Sequence, residues 1–199
     1  MTSSSFKAAI DAFDNANFED PNTEVADGQT FPKELLYGQR MSEMQERYIP
    51  DASDAVKLAV RAQHIQRWKT PRSNYPMNKP GYMMWRSGLY KFHAETAGAL
   101  MRTAGYDALM VERVKTIISK VGLKTDPETQ QMEDVADLVF IEHYMTSFVA
   151  QHPDYDDAKW IVIVKKTWNK MSEAAHQFAL SGKLKLPQEL VPLILKAVQ

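Results

Sequence analysis

Apolar residues recur at steps of three and four through most stretches that glycine and proline leave uninterrupted. No other feature constrains the fold as much. This period puts side chains on one face of a helix, whereas a half-buried strand needs strict alternation. Val56, Val60, His64 and Arg67 follow one another at four, four and three. Trp85, Leu89, His93, Ala97 and Leu100 form a second stripe, and Val111, Val114, Ile118 and Val121 a third. Asp134, Leu138, Ile141 and Met145 share a fourth, with Asp137 beside it. Trp160, Val164, Trp168 and Met171 form a fifth, in a helix expected from about Tyr155 to Leu180. The β-rich run IVIV at 161–164 lies inside that helical pattern and is read with it.

Turn residues divide the pattern. Ser4 or Ser5 caps a first helix carrying Phe6, Ile10 and Phe13. Residues 18–31 are turn-rich and read as irregular. Pro32 suits the first position of the next helix, PKELLYGQRMSEMQERY. Asp51 or Ser53 caps the helix after it. Three prolines in TPRSNYPMNKPG force a long loop over about 69–81, and a loop of that length in a compact domain is often functional. The following helix starts near Tyr82 and ends at Gly105; the shorter one after it ends at Gly122. Asp126-Pro127 opens another as a cap followed by proline at the first helical position. Gly182 ends the fifth-stripe helix, and Pro187 begins a last one with Leu190, Leu193 and Ile194. Some seven helices and no convincing strand predict an all-α helical bundle, one domain over residues 1–199.

At 199 residues the chain is long enough for a substantial core. Its net charge of −1 provides no footprint for general nucleic-acid or acidic-membrane binding, while leaving room for a local basic groove. The absence of cysteine excludes disulfides, thiolate metal sites and cysteine nucleophiles. No apolar run approaches the roughly 20 residues that span a bilayer. The start, MTSSSFKAAIDAFDNAN, lacks the basic and apolar regions of a secretory signal, so a cytoplasmic location is expected. No glycine-rich phosphate loop is present.

The polar residues that interrupt the stripes mark the candidate site. His64, His93 and Asp134 each fall on an otherwise apolar face, where an unpaired polar group is costly. Two neutral imidazoles and a carboxylate suit a divalent metal, which can polarise a phosphoryl oxygen or activate water. The alternative is that each histidine is satisfied in the core by a carbonyl or carboxylate. Arg67, Arg72 and Arg86 offer guanidinium forks for phosphate or carboxylate, and Trp68, Tyr75, Tyr82 and Trp85 offer stacking surfaces. Against this, the arginines can pair internally with Glu95, Glu133 or Asp137. Lys166 is the best inward candidate among Lys165, Lys166 and Lys170, which otherwise form a solvated face. Glu34 and Arg40 could close the site from the N-terminal side. Glu133 and Glu95 are the candidate acid-base or supporting carboxylates; Asp134 is taken as the inward member of the Glu133-Asp134 pair.

The segments PKELLY, AVRAQHIQRW, PRSNYP, YMMWR, KFHAE, EDVADLVFIEHY and KKTWNKMS resemble the domain-of-unknown-function 4202 family, from about Phe6 to Leu180. Some members carry a glutamyl-tRNA synthetase label. This chain has neither the histidine-glycine phosphate signature nor the α/β nucleotide-binding pattern that such enzymes need. More distantly, it resembles the HD superfamily of metal-dependent phosphohydrolases, which implies an HD-like helical fold. His64 matches the family's first histidine, His93 the histidine of the His-Asp pair, and Asp134 the late aspartate. Position 94 departs from the pattern, being Ala where the family has Asp. After the VKTII segment, Lys120 stands near a position where many of those enzymes have histidine; there it could hold a phosphate as a point charge.

Two functions follow as expectations. One is an HD-like phosphohydrolase acting on a phosphorylated small molecule or nucleotide, with a divalent metal on His64, His93 and Asp134. In it Arg67, Trp68, Arg72, Tyr75, Arg86, Lys120 and Lys166 would bind substrate. The other is a non-catalytic module that binds an anionic ligand or protein partner on a degenerate scaffold of the same kind. A third, structural reading makes the same motifs a buried ionic network that fixes helix order.

Overall fold

A computed structural model of the chain describes residues 4–186 and 191–198. Its α-helices are α1 (Ser4–Phe18), α2 (Lys33–Tyr48), α3 (Asp54–Ala62), α4 (Lys79–Thr103), α5 (Ala108–Ile118), α6 (Pro127–Val139), α7 (Met145–Ala150), α8 (Asp157–Lys170), α9 (Glu173–Leu180) and α10 (Val191–Val198). The all-α reading is therefore correct. Among the described residues no helix is long and apolar enough to cross a membrane.

Side-chain caps explain most of the starts. Ser53, Asn78, Asp107, Asp126, Asp156 and Ser172 each accept a hydrogen bond from a backbone N–H in the first turn of the helix they precede. Those N–H groups have no partner within the helix, so each cap satisfies an otherwise orphaned donor.

The core is organised around α3. This short helix buries Ala55, Val56, Leu58, Ala59, Val60 and Ala62 and packs against α1, α2, α5 and α6. Its three small alanines let those neighbours approach closely. Phe13, Met41, Met44, Met101, Ile117, Met132 and Leu138 fill the space around it. The C-terminal half of α4 closes onto α5 at Gly98. A Cβ there would sit 3.2 Å from Val111 Cγ1 and 3.0 Å from Lys115 Cδ, so glycine sets the approach of the two helices.

Four boundaries differ from the sequence expectation. First, residues 18–31 are not irregular throughout. Thr23–Ala26 and Gln29–Pro32 form an antiparallel hairpin, with Thr23 opposite Pro32 and Ala26 opposite Gln29. Asp27 (φ +49°) and Gly28 (φ +74°) both take left-handed backbone, as a two-residue hairpin turn needs. Asp20 Oδ2 accepts from the Glu34 backbone N–H at 3.0 Å, tying the base of the hairpin to the start of α2. Second, α3 stops at Ala62, because Gln66 is left-handed (φ +51°) and its N–H is held by Asn17 Oδ1 at 2.8 Å. His64 and Arg67 thus lie in the turn after α3. Third, α4 begins at Lys79 inside the expected loop. The Asn78 side chain caps it, and Pro80 occupies a first-turn position where its missing N–H costs nothing. Fourth, the helix expected from Tyr155 to Leu180 is two helices, broken at Met171–Ser172. Pro187 and Leu190, expected in the last helix, lie outside the described residues, as does the Leu193 side chain; Ile194 on α10 is buried.

Candidate functional site

The site is built from one face of α2, the turn after α3, the middle of α4, the turn after α5, and α6. The His64 imidazole stacks on the Tyr37 ring, with centroids 4.0 Å apart and planes 16° from parallel. Tyr37 donates its hydroxyl proton to Gln63 Oε1 at 2.5 Å, which holds the stack in place. Arg67 Nη1 lies 2.7 Å from His64 Nε2. A guanidinium can only donate, so Nε2 is the acceptor and the imidazole proton sits on Nδ1. That nitrogen lies 3.4 Å from Glu34 Oε2. Burial, then the charges of Arg67, Lys120 and Lys33, hold the His64 pKa well below its ordinary value. Burial raises the Glu34 carboxyl, with Arg67 opposing it.

His93 enters from α4, its ring centroid 5.9 Å from that of His64. Its Nδ1 lies 2.8 Å from the Ile65 carbonyl oxygen, so Nδ1–H donates and Nε2 carries the lone pair. Nε2 is buried and has no hydrogen-bond partner among the described residues. Burial first, and His64 second, lower the His93 pKa to about 3.

Next to the two histidines lies a group of cations. The Arg67 guanidinium is 5.0 Å above the Trp85 ring, and the Trp85 indole N–H donates to the Thr70 carbonyl at 2.8 Å. Arg86 Nε donates to the Tyr90 hydroxyl at 2.5 Å. Arg86 and Lys120 both lie over the Tyr90 ring, at 5.7 and 5.5 Å. Among the described residues neither arginine has a carboxylate within ion-pairing distance. Each is held instead by a neutral group, His64 or Tyr90.

Lys120 takes a left-handed conformation (φ +57°) just beyond α5 and pairs with Glu133 Oε2. The other Glu133 oxygen faces Lys170 Nζ at 3.0 Å, and Lys170 also holds Asp137 Oδ1. Burial opposes ionisation of Glu133, but Lys120 and Lys170 outweigh it and bring the carboxyl down to about 2. Asp137 goes the other way: burial, with Glu133 adding to it, raises its carboxyl to about 7 despite Lys170. Its Oδ2 is buried and has no hydrogen-bond partner among the described residues. Past α6 a π-helical turn, Phe140–Tyr144, carries Tyr144 to within 5.7 Å of the Tyr37 ring. Arg40 donates to the Tyr144 hydroxyl at 2.9 Å and pairs with Glu24 of the hairpin. The two halves of the site feel each other: Lys120 lowers the His64 pKa and Glu133 raises that of Tyr37.

The expected site residues divide into two groups. His64, Arg67, Arg86, His93, Lys120 and Glu133 come together, and Glu34 closes the site from the N-terminal side. Trp68 is half-buried in the turn next to Arg67. Others have different roles. Asp134 accepts from the Ser172 N–H and Gln130 at one oxygen and from the Ser172 and Tyr48 hydroxyls at the other, so it anchors the start of α9. Glu95 is exposed and pairs with Lys115 at 3.1 Å, on the opposite face of α4 from His93. Lys166 is exposed on α8, and the lysine that turns inward is Lys170. Arg72 braces its own loop by donating to the carbonyls of Tyr75, Pro76 and Asn78. The Tyr75 hydroxyl packs beside Gly88 of α4.

The expected metal set does not assemble. Asp134 is committed to α9, His64 Nε2 accepts a hydrogen bond from Arg67, and Ala94 is buried in the core with no metal-binding atom to offer. Among the described residues no group of three or more His, Asp or Glu side chains is arranged to hold a metal ion. Tyr37, Tyr90 and Lys170 were not anticipated. The first two had a usable signal, since Tyr37 follows Glu34 by three residues and Tyr90 follows Arg86 by four, both neighbour spacings on a helix.

The chain belongs to the family described as Domain of unknown function (DUF4202), whose model matches residues 7–194. The match takes in every element of the site. No curated protein and no solved structure matches the chain.

Proposed function

We propose that the face formed by Arg67, Arg86 and Lys120 binds a phosphorylated small molecule. The observation that carries this reading is the pairing of the two arginines with neutral groups only. A half-buried guanidinium normally finds a carboxylate, and neither of these two has one within ion-pairing distance among the described residues. A phosphate would take that place in the bidentate geometry that a guanidinium prefers. Trp85 and Tyr90 orient the guanidinium planes, and the Glu133 carboxylate holds the Lys120 ammonium beside them. Isothermal titration with inorganic phosphate, pyrophosphate and nucleoside phosphates tests the reading. Saturable binding that weakens at least about tenfold in both Arg67→Gln and Arg86→Gln supports it. Binding by none of these ligands, or binding indifferent to both substitutions, rejects it.

A phosphohydrolase is the second reading, favoured by the unpartnered Nε2 of His93. The side chains do not fit the metal that the HD resemblance implies, so no step is assigned to one. His93 Nε2, kept weakly basic by burial, would orient a water by accepting a hydrogen bond from it. A panel of phosphate esters, assayed with and without chelator, separates the two readings. Turnover lost in His93→Gln while phosphate binding persists would favour the hydrolase.

A further inference from the structure

The charges of this chain are unevenly distributed. Residues 55–94 contain eight lysines and arginines and no aspartate or glutamate, although the whole chain has a net charge of −1. Lys69, Lys79 and Lys91, all exposed, have no carboxylate within ion-pairing distance among the described residues. Lys79 and Lys91 lie on the N-terminal half of α4, which is less buried than the rest of the helix, and Lys69 precedes Thr70, to which Trp85 of that half is bonded. The C-terminal half buries His93, Ala94, Ala97, Gly98 and Met101, but residues 79–91 bury only Gly81 and Leu89. The exposed side chains here are large and apolar: Met77 at 79%, Tyr82 at 42%, Met83 at 51% and Met84 at 61%. Met84 and Lys91 lie seven residues apart, on one face of the helix. The underside is rigid, because Trp85 is pinned to Thr70 and Arg72 clamps the preceding loop.

We infer that the exposed face of this half of α4 docks an acidic, amphipathic helix of a partner protein. Tyr82, Met83 and Met84 follow one another on the helix, with Met77 in the loop before it, and methionine is suited to packing against varied apolar partners because it is flexible and polarisable. An incoming helix with leucine-like residues on one face would cover them, and carboxylates along its flanks would meet Lys69, Lys79 and Lys91. Nucleic acid is less well served. Tyr82 is the one aromatic ring that is exposed here, and methionines offer bases no stacking surface. The inference does not depend on the phosphate site, since Arg67, Arg86 and Lys120 take no part in it.

Fluorescence anisotropy with the full chain tests this. The probe is a labelled fifteen-residue peptide with leucines at helical spacing and glutamates elsewhere. Three comparison ligands are its scrambled isomer, a twelve-residue oligouridylate and phosphatidylserine vesicles. The expected result is saturable binding of the amphipathic peptide, weakened at least about tenfold by Met83→Ser/Met84→Ser and by Lys79→Glu, with phosphate binding unchanged in both variants. All three positions are exposed, so the fold should tolerate the changes; circular dichroism checks this. Equal binding of the scrambled peptide overturns the proposal, as does no binding of the amphipathic one. Preference for the oligouridylate or the vesicles assigns the face to another partner class and overturns it too, as would a dimer of this chain that buries the face.

Discussion

Arg67 donates to His64 Nε2 at 2.7 Å and so decides the state of the imidazole. With Nε2 accepting, His64 is neutral, its proton is on Nδ1 towards Glu34, and the positive charge of the pair lies wholly on Arg67. A ligand anion would therefore meet the guanidinium, with the histidine as its support. In Arg67→Gln the amide can still donate to Nε2 but the charge is gone. Burial continues to depress His64, so its pKa rises part of the way towards the ordinary value. Titration of the His64 ring protons by NMR measures this. An unchanged pKa would mean that Arg67 does not act on His64 through its charge.

The two histidines make a definite contribution to the pH dependence of stability. Both folded pKa values lie below the unfolded value of about 6.5, so the unfolded chain takes up protons first as pH falls. Their stabilising contribution is complete above about 6.5 and declines as the pH drops towards the folded values, about 3 for His93. In His93→Gln an amide still donates to the Ile65 carbonyl, but nothing titrates. The deficit of this variant relative to the parent should shrink by about 2 kcal/mol between pH 7 and pH 5, read from urea unfolding at both.

Lys170 is shared by Glu133 and Asp137, so its removal leaves two buried carboxyls to one ammonium, Lys120. Breaking a fully buried pair costs about 3–5 kcal/mol; Lys170 is a third exposed, so on the order of 2 kcal/mol is expected for Lys170→Met at pH 8. The folded Asp137 carboxyl already sits near 7, above its unfolded value, and binds a proton as pH falls through that point. Protonation relieves the repulsion, so the penalty should be smaller at pH 5. Chemical denaturation at the two pH values checks the direction.

Asp134→Ala tests whether that carboxylate is structural. It removes acceptors from the Ser172 backbone and hydroxyl, from Gln130 and from Tyr48. A loss of about 2–3 kcal/mol is expected, with phosphate affinity unchanged within about twofold. A variant that folds normally but no longer binds phosphate would return Asp134 to the functional site.

The sequence by itself determined most of the helices, the caps at Ser53 and Asp126, and the two histidines and two arginines around which the site forms. Apolar period, capping residues and prolines act over one or two turns, and such local physics is visible in a single chain. The hairpin carried its own signal in Asp27-Gly28, but its two strands are only four residues long and show no clean alternation. What only the tertiary structure decided was the partner of each charge. Glu133 and Asp134 are adjacent on α6, and both are buried. The first faces Lys120 and Lys170, and the second faces Ser172 at the start of α9, because the end of α5 and the break between α8 and α9 lie at different places around α6. No periodicity distinguishes them. Nor does it choose Lys170 over Lys166, since the break at Met171–Ser172 that places Lys170 is itself held by Asp134. Long-range pairing of this kind depends on where helices end in space, which residue spacing within a helix does not encode.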